Sequence, residues 1–367
     1  MTRRSSALNW AVRPKNERRF GMRTLLVVAL AATTAICSYA WAGGLPRPGG
    51  GTSRDSSAKT SAPFKAVTSP KITPEIRFEI FTGAQYAAAG TGLRNRNTGT
   101  INISGFVPPL QKAILYWGVL CPSTRACGSS ILIRRVAPAP NAGQWFTGIS
   151  IGTGSDPCWG SDHAEYYKAE LPASYAPPTG DGGIYQVAIP LGEQGITDFS
   201  DPWASADDTL PQWEGASLVL VGTGTSTVNI TDVGLAGTPF VSLPIVPFTY
   251  AVTLFGTPSG GPVIWSSINA DGQVGASTTA KPNDFDEQVT INGTHVSGPS
   301  TGPTTWDSDS DYNGNDASPL PQLWDTRTHN ISTVRLGSPP ALRVSVSSLS
   351  GRPVHDCIET VANIIAF

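Results

Sequence analysis

The sequence predicts an all-β protein, and three observations carry this prediction. Only 14% of the 367 residues are charged, against about 25% in ordinary soluble proteins, so long charged helices are not expected. The 39 glycines and 31 prolines divide the chain into short segments. Runs rich in β-branched and aromatic residues recur between these breaks. No amphipathic helical pattern longer than about 12 residues follows the leader.

The first element is a leader at residues 1–42. An apolar run at residues 25–36 follows three arginines and precedes the small-x-small motif Ala40-Trp41-Ala42. This combination predicts a secretory signal peptide that is cleaved after Ala42, with Met22 as a second candidate start. The alternative is an uncleaved signal anchor, because the run with its flanks approaches the ~18 residues that cross a bilayer.

Charge excludes two classes of partner. Removal of the leader takes away seven of 25 basic and one of 27 acidic side chains, which leaves 18 and 26 and a net charge of about −8. No cluster of lysines and arginines remains after the leader. Nucleic acid and anionic membrane surfaces are therefore not expected partners, and a secreted or cell-surface location is predicted.

The cysteines predict disulfides. Cys121, Cys127, Cys158 and Cys357 follow the leader, and an even number in an oxidising compartment favours two bridges. Three connectivities are open. One of them pairs Cys121 with Cys127 across a small loop and Cys158 with Cys357 between the two halves of the chain. A zinc site is disfavoured, since CxxC spacing and nearby histidines are absent.

The next elements are a linker and a first block of strands. Residues 43–72 consist mainly of Gly, Ser, Pro and Thr without apolar periodicity, which predicts a flexible linker. Short β-type runs then follow within residues 73–238. They lie at Ile76–Phe81, Thr100–Phe106, Ala113–Leu120, Ser130–Arg134, Tyr185–Ile189, Ser217–Val221 and Thr227–Val233.

A second block occupies residues 239–367. Its runs lie at Thr249–Phe255, Gln288–Ile291, Ile331–Leu336, Leu342–Val346 and Ile358–Ile365. The order of features echoes the first block, which predicts a duplicated β-sandwich unit of jelly-roll or immunoglobulin-like type. The corresponding segments are 130–136 with 288–294, 166–171 with 323–327, 183–189 with 341–346, and 214–221 with 356–365. The alternative is that the two blocks are unrelated and share only the strand-turn-strand pattern that any two β-sandwiches show.

Five segments carry a resemblance to known proteins. They are residues 90–100, 112–120, 152–159, 214–221 and 323–328. Together they resemble a group of secreted bacterial proteins that share a domain of unknown function, over roughly residues 75–367. The resemblance implies an exported protein of two β-sandwiches, and it carries over no catalytic residue.

An acidic loop near residue 310 is the most pointed local motif. Counted from Asp309, oxygen-bearing side chains stand at positions one, three and five, and Gly314 at position six, as in a calcium loop. The candidate ligands are Asp307, Asp309, Asp311, Asn313 and Asp316. Position twelve is Leu320 rather than glutamate, so a full helix-loop-helix site is excluded. The alternative is a solvated turn, since Asp, Asn and Ser favour turns.

Tryptophans in loops are the candidate ligand-binding residues. Trp159, Trp203, Trp213 and Trp306 lie beside Gly, Pro, Asp or Glu, where an exposed indole would stack on a sugar. The alternative is that each indole anchors its own loop in a core.

Neighbouring carboxylates offer pairs for glycoside hydrolysis, but no spacing singles out a pair. They are Asp156, Asp162, Glu165, Asp207, Asp208 and Glu214.

These observations favour binding over catalysis. No Gly-x-Ser-x-Gly motif occurs, and the four histidines are scattered without a recognisable frame. The expected function is therefore a non-catalytic recognition protein with a glycan as the expected ligand. The two alternatives are a structural or adhesive envelope component and an extracellular glycoside hydrolase. Calcium is the one cofactor that the sequence suggests.

The calcium motif yields a first prediction. Millimolar calcium is expected to raise the melting temperature of the metal-stripped protein, because a ligand that binds only the native state stabilises it. Isothermal titration of the metal-stripped chain would measure the binding. The absence of both a calcium heat and a melting shift would make the acidic loop an ordinary turn.

Overall fold

The computed structural model describes nine stretches of the chain, and all belong to one compact unit within Ser69–Phe367. The stretches are residues 77–122, 127–154, 163–193, 211–233, 248–258, 260–270, 287–297, 324–348 and 359–367. The predicted leader and linker, and the acidic loop at 307–316, lie outside them.

The described part is all-β, as predicted: it holds sixteen strands, no α-helix and a single 3₁₀ turn at Ala173–Tyr175. The strands are β1 (Arg77–Gly92), β2 (Thr98–Phe106), β3 (Lys112–Cys121), β4 (Ser130–Ala137), β5 (Gln144–Thr147), β6 (Ile149–Gly154), β7 (His163–Glu170), β8 (Asp181–Ala188), β9 (Gln212–Asp232), β10 (Phe248–Thr253), β11 (Ile264–Ala270), β12 (Glu287–Ile291), β13 (Thr294–Ser297), β14 (Trp324–Asn330), β15 (Ala341–Ser348) and β16 (Glu359–Ala366).

The described strands form three antiparallel sheets. The main sheet has eight strands, in the order β14-β11-β16-β9-β3-β7-β6, with β1 also paired to β9. The first cover sheet has the order β2-β8-β4-β5, and the second cover sheet has the order β10-β15-β12-β13. Strands from both predicted blocks therefore share the main sheet, since β9 pairs with β3 at one end and with β16 at the other.

The β1–β9 pair runs the length of the main sheet. Its register extends from Arg77 opposite Asp232 to Gly92 opposite Gly215, with irregular pairing around Ala84. A side chain on Gly224 would collide with the backbone of Ala84, and Gly83 has a positive φ of 61°. Because a bulge inserts a residue, it changes which residues face each side of a strand. Phe81 before the bulge and Tyr86 after it consequently pack against the same core.

Each cover sheet packs on one half of the main sheet. In the first half, Trp117 and Leu218 of the main sheet meet Ile133 of the first cover sheet. In the second half, Trp265 meets Val344 of the second cover sheet. Both tryptophans also stack on a ring of the adjacent strand at an interplanar angle of 24°, Trp117 on Tyr167 and Trp265 on His329.

A central core lies between the two halves of the main sheet. Tyr116 and Val219 come from one half, and Ile364 and Trp324 come from the other. The Trp324 indole donates a hydrogen bond of 2.8 Å to Ser217 Oγ across this core. The main sheet thus folds over on itself, with its two inner faces in contact.

The two halves repeat one strand order. In the first half, β2-β8-β4-β5 covers β9-β3-β7, and in the second half β10-β15-β12-β13 covers β16-β11-β14. The four segment pairs matched in the sequence occupy equivalent positions in these orders: β4 with β12, β7 with β14, β8 with β15, and β9 with β16. The domain boundary at residue 238 itself remains a prediction.

The observed strands differ from the expected runs in several places, and the described part of the chain has six strands outside those runs: β5, β6, β7, β11, β13 and β14. The two runs at 217–221 and 227–233 belong to the single strand β9, which continues through Gly222 and Gly224. β1 extends to Gly92. The run at 331–336 is not a strand but a series of turns. These turns bury its apolar side chains in the core beneath the second cover sheet, and Ile331 N–H donates a hydrogen bond of 2.7 Å to Val263 O.

The Cys121–Cys127 disulfide is present, with the Cα atoms 5.6 Å apart. It closes a small loop after β3, which is one of the pairings left open by the sequence. Cys158 and Cys357 lie outside the described residues.

The central core yields a prediction about glycine. A side chain at Gly215 would overlap the buried Trp324 indole, so Gly215→Ala is expected to lower the free energy of unfolding by about 1–3 kcal/mol through overpacking. Urea denaturation would measure the change. Gly143→Ala is the control, since the nearest atom there is a Leu132 methyl at 3.3 Å on a flexible side chain. Equal stability of the two variants would contradict this account of the core.

Candidate functional site

A cleft of about 430 Å³ opens at one end of the central core. Strand alternation brings its side chains together, because residues two apart on a strand share a face. Lys112 therefore lies on the same face of β3 as Ile114 and Tyr116. The cleft is lined by Phe78 and Glu79 of β1, Lys112 and Ile114 of β3, Thr147 of β5, Ile149 of β6, and Lys168, Ala169 and Glu170 of β7.

The floor of the cleft is a chain of ion pairs. Lys168 Nζ lies 2.5 Å from Asp232 Oδ2 and 3.0 Å from Glu79 Oε1. Lys112 Nζ lies 3.4 Å from Glu79 Oε2 and 2.6 Å from Glu170 Oε2. The two lysines therefore alternate with three carboxylates, and Glu79 joins the pairs.

Exposure increases along this chain from the core to solvent. The Asp232 side chain is fully buried and that of Lys168 is 10% exposed, whereas the Glu170 side chain is 65% exposed. The inner pair is thus shielded from water, and the outer carboxylate is open to a ligand. An ion pair of the inner kind depends on its partner, because removal of one charge leaves the other desolvated.

Burial sets the protonation of the inner groups. Desolvation raises the pKa of Asp232, although the Lys168 ammonium opposes this change. Desolvation also raises the pKa of Tyr116 well above its usual value, and the charge of Asp232 adds to that rise. Tyr116 therefore remains a hydrogen-bond donor at neutral pH, and its hydroxyl donates to Asp232 Oδ1 at 2.9 Å.

The outer lysine shows the opposite balance. Burial lowers the pKa of Lys112, but hydrogen bonds and charges from Glu170 and Glu79 outweigh this effect, so its pKa is raised. Lys112 is consequently a stable cation at the cleft wall. It places a positively charged donor beside the exposed Glu170 acceptor.

Apolar side chains border the charged floor. The Phe78 ring is 37% exposed and Ile149 is 51% exposed. Phe78 meets Phe255 edge to face, with the ring centroids 5.4 Å apart. The aromatic ring is therefore held at the edge of the cleft with part of its surface in solvent.

Of the four tryptophans expected to bind a ligand, Trp213 is the one that lies among the described residues. It is 2% exposed, in the core under the first cover sheet, so the ring offers no surface for stacking. Trp159, Trp203 and Trp306 lie outside the described residues.

The calcium candidates also lie outside the described residues; they are Asp307, Asp309, Asp311, Asn313 and Asp316. Among the described residues, no group of three or more His, Cys, Asp or Glu side chains is arranged to hold a metal.

Two of the expected carboxylates have partners in the structure. Buried Glu214 forms an ion pair with buried Arg94. Glu165 accepts a hydrogen bond from Ser150 Oγ at 3.0 Å and lies 2.7 Å from His163 Nε2. The carboxylate thus stands between the serine hydroxyl and the histidine ring. Asp156, Asp162, Asp207 and Asp208 lie outside the described residues.

The cleft residues were missed by the sequence reasoning. Lys168 and Glu170 lie in the segment Tyr166–Leu171, which was used only to match the two blocks. The sequence feature that could have revealed them is strand alternation, because both residues share the face of Tyr166, which lies in the central core. Charges at core-facing positions of a strand are uncommon and indicate pairing, but the partners lie on β1 and β9, far away in the chain.

No protein-family model matches the chain, and no curated protein matches it. Within the part of the chain that the structure describes, no helix has the length and apolar character required to cross a membrane.

The inner ion pair yields a prediction. Lys168→Met is expected to cost about 3–5 kcal/mol of unfolding free energy, because Asp232 remains buried without its countercharge. The double variant Lys168→Met/Asp232→Asn should recover much of this loss. Urea denaturation of both variants and of Asp232→Asn alone would give the coupling energy.

A matched control tests whether burial is the cause. Lys112→Met removes a lysine that is 20% exposed and paired with exposed Glu170, so it should cost about 1 kcal/mol or less. Equal losses for Lys112→Met and Lys168→Met, or no recovery in the double variant, would contradict this account.

Proposed function

We propose that the protein is an exported, non-catalytic recognition protein that binds a carbohydrate in the cleft at the end of the central core. The observation that carries this proposal is the combination of an exposed aromatic ring, Phe78, with an ordered floor of charged side chains. A concave site with an apolar border and a few placed polar groups is the general form of a small-ligand site.

The charge balance of the cleft favours an uncharged polar ligand. Lys112 and Lys168 are neutralised by Glu79, Glu170 and Asp232, so the site has no excess positive charge to attract an anion. Side chains held by ion pairs are already oriented, and their remaining donors and acceptors suit sugar hydroxyl groups. The apolar face of a sugar ring would lie against Phe78.

The same pairing disfavours hydrolysis. A glycosidase needs one carboxylic acid and one carboxylate that both reach the substrate. Here Glu79 is engaged by two lysines, and Asp232 is 1% exposed. Binding is therefore favoured over a hydrolase, and a structural or adhesive envelope role is the remaining alternative.

The proposed organisation places this site in the first of two tandem β-sandwiches. The chain would comprise a signal peptide at 1–42, a linker at 43–72, and sandwiches at 73–238 and 239–367. The repeated strand order of the two halves supports the duplication, and the disulfide between Cys121 and Cys127 fits an oxidising compartment.

A glycan array followed by isothermal titration calorimetry tests the proposal. The full chain is expected to bind at least one neutral oligosaccharide of the array. Glu170→Gln should weaken that binding about ten-fold or more, as expected when one hydrogen bond to a charged group is lost. Phe78→Ala should weaken it as well, because the apolar contact is removed.

Two variants outside the cleft serve as controls. Asp181→Asn makes the same change of charge as Glu170→Gln, and asparagine tolerates the positive φ of 66° at that position. Leu191→Ala removes an apolar side chain that is 89% exposed. The proposal fails if no neutral glycan binds, if all four variants behave alike, or if the bound glycan is cleaved.

A further inference from the structure

The outer face of the first cover sheet is a second surface with ordered side chains. Consecutive residues of β4 point to opposite faces. Arg135 points inward, where its guanidinium donates to backbone carbonyls that include Ser174 O at 2.7 Å and Pro138 O at 2.9 Å. Arg134 points outward and is exposed. The sheet therefore uses one arginine for structure and presents the other to solvent.

The Arg134 guanidinium is held in a defined orientation. Both Nε and Nη2 donate to Gln186 Oε1 of the neighbouring strand β8, the first at 2.8 Å. Among the described residues, Nη1 has no partner. Gly143 lies beside this side chain on the next segment, and a Cβ there would come within 3.5 Å of Arg134 Cβ. The absence of a side chain at Gly143 leaves that side of Arg134 open.

An exposed tryptophan lies on the same face. Trp145 is 49% exposed and stands opposite Leu132, one outward position along β4 from Arg134, a separation of about 7 Å along the strand. Val136 is 40% exposed and Ile184 is 42% exposed. The face thus combines flat apolar area with a fixed guanidinium.

The local charge is opposite to that of the whole chain. Cross-strand registers place Thr100 beside Gln186 and Asn102 beside Ile184. The acidic residue of β2, β8, β4 and β5 is exposed Asp181, which lies at the start of β8, five residues before Gln186. Among the described residues, Arg134 therefore has uncharged neighbours on this face and no acidic side chain beside it. In a chain whose predicted mature form carries a net charge of about −8, this face suits an anionic ligand.

We propose that this face, termed the Trp145–Arg134 platform, binds a glycan that carries carboxylate groups. The guanidinium would bind a sugar carboxylate through its free donors, as Arg does with planar anions. The Trp145 indole would receive the ring of an adjacent sugar, and Thr100, Asn102 and Gln186 would meet hydroxyl groups. Four strands span about 14 Å, so the surface accommodates several sugar units of a linear chain. This site is separate from the cleft and does not depend on its function.

Binding of the full chain to polyuronates tests the platform. The probes are polygalacturonate, alginate and hyaluronan, with fully methyl-esterified polygalacturonate as the uncharged analogue and poly-glutamate as a polyanion without sugar. At least one polyuronate is expected to bind. The methyl ester and poly-glutamate should each bind at least about ten-fold more weakly than that polyuronate. Binding should weaken as ionic strength rises.

Variants assign the binding to this face. Arg134→Gln and Trp145→Ala are each expected to weaken polyuronate binding about ten-fold or more, and Arg134→Lys should recover little, because an ammonium lacks the two-pronged geometry. The matched control is Arg343→Gln, which removes an exposed arginine of β15 in the second cover sheet. Phe78→Ala in the cleft should leave polyuronate binding unchanged.

Four outcomes would overturn the proposal. They are the absence of binding to all three polyuronates, equal binding of the methyl ester or of poly-glutamate, full retention of binding in Arg134→Gln or Trp145→Ala, and an equal loss in Arg343→Gln. Loss of neutral-glycan binding in Phe78→Ala with intact polyuronate binding would support two independent sites. Circular dichroism of each variant would establish that it is folded.

Discussion

The antiparallel pairing of β1 with β9 sets how the two halves of the main sheet meet. β1 has 16 residues and β9 has 21, and among the described strands their ladder is the one that belongs to both halves of the main sheet. The irregular pairing around Ala84 changes which residues of the ladder face inward. Inward-facing residues before and after Ala84 therefore contact the same central core. Without this change, one half of the main sheet would turn its apolar side chains away from the other half.

Two consequences follow for the interior. The main sheet is buried on both faces, because a cover sheet packs on its outer side and its own second half packs on its inner side. β3 accordingly reads as a nearly continuous apolar run, whose residues 113–121 are all buried. The close approach of the two halves also explains why Gly118 and Gly215 lie against Trp324, since a Cβ atom at either position would occupy the space of that ring.

The same folding creates the cleft. Next to Ile114 and Tyr116, some core-facing positions of β3, β7 and β9 hold no apolar residue. Charged side chains occupy them instead and neutralise one another, which limits the desolvation penalty of the buried groups. The platform on the first cover sheet has a different origin. It is a sheet face that no described segment covers, and the specificity proposed for it rests on the cross-strand pair of Arg134 and Gln186 rather than on concavity.

The all-β class could be predicted from the sequence alone, which also offered the Cys121–Cys127 pairing as one of three alternatives and the matching of segments between the two blocks as a hypothesis. These are local properties: strand patterning, turn residues and short loop closure can be read within a few residues. Other features could be seen only in the folded chain. The burial of Trp213, the burial of Ile331–Leu336 in turns, and the meeting of Lys168 with Glu79 and Asp232 depend on contacts between distant segments. Strand alternation states which side chains share a face, but the register of β1 on β9 and the pairing of β3 with β7 decide which faces meet.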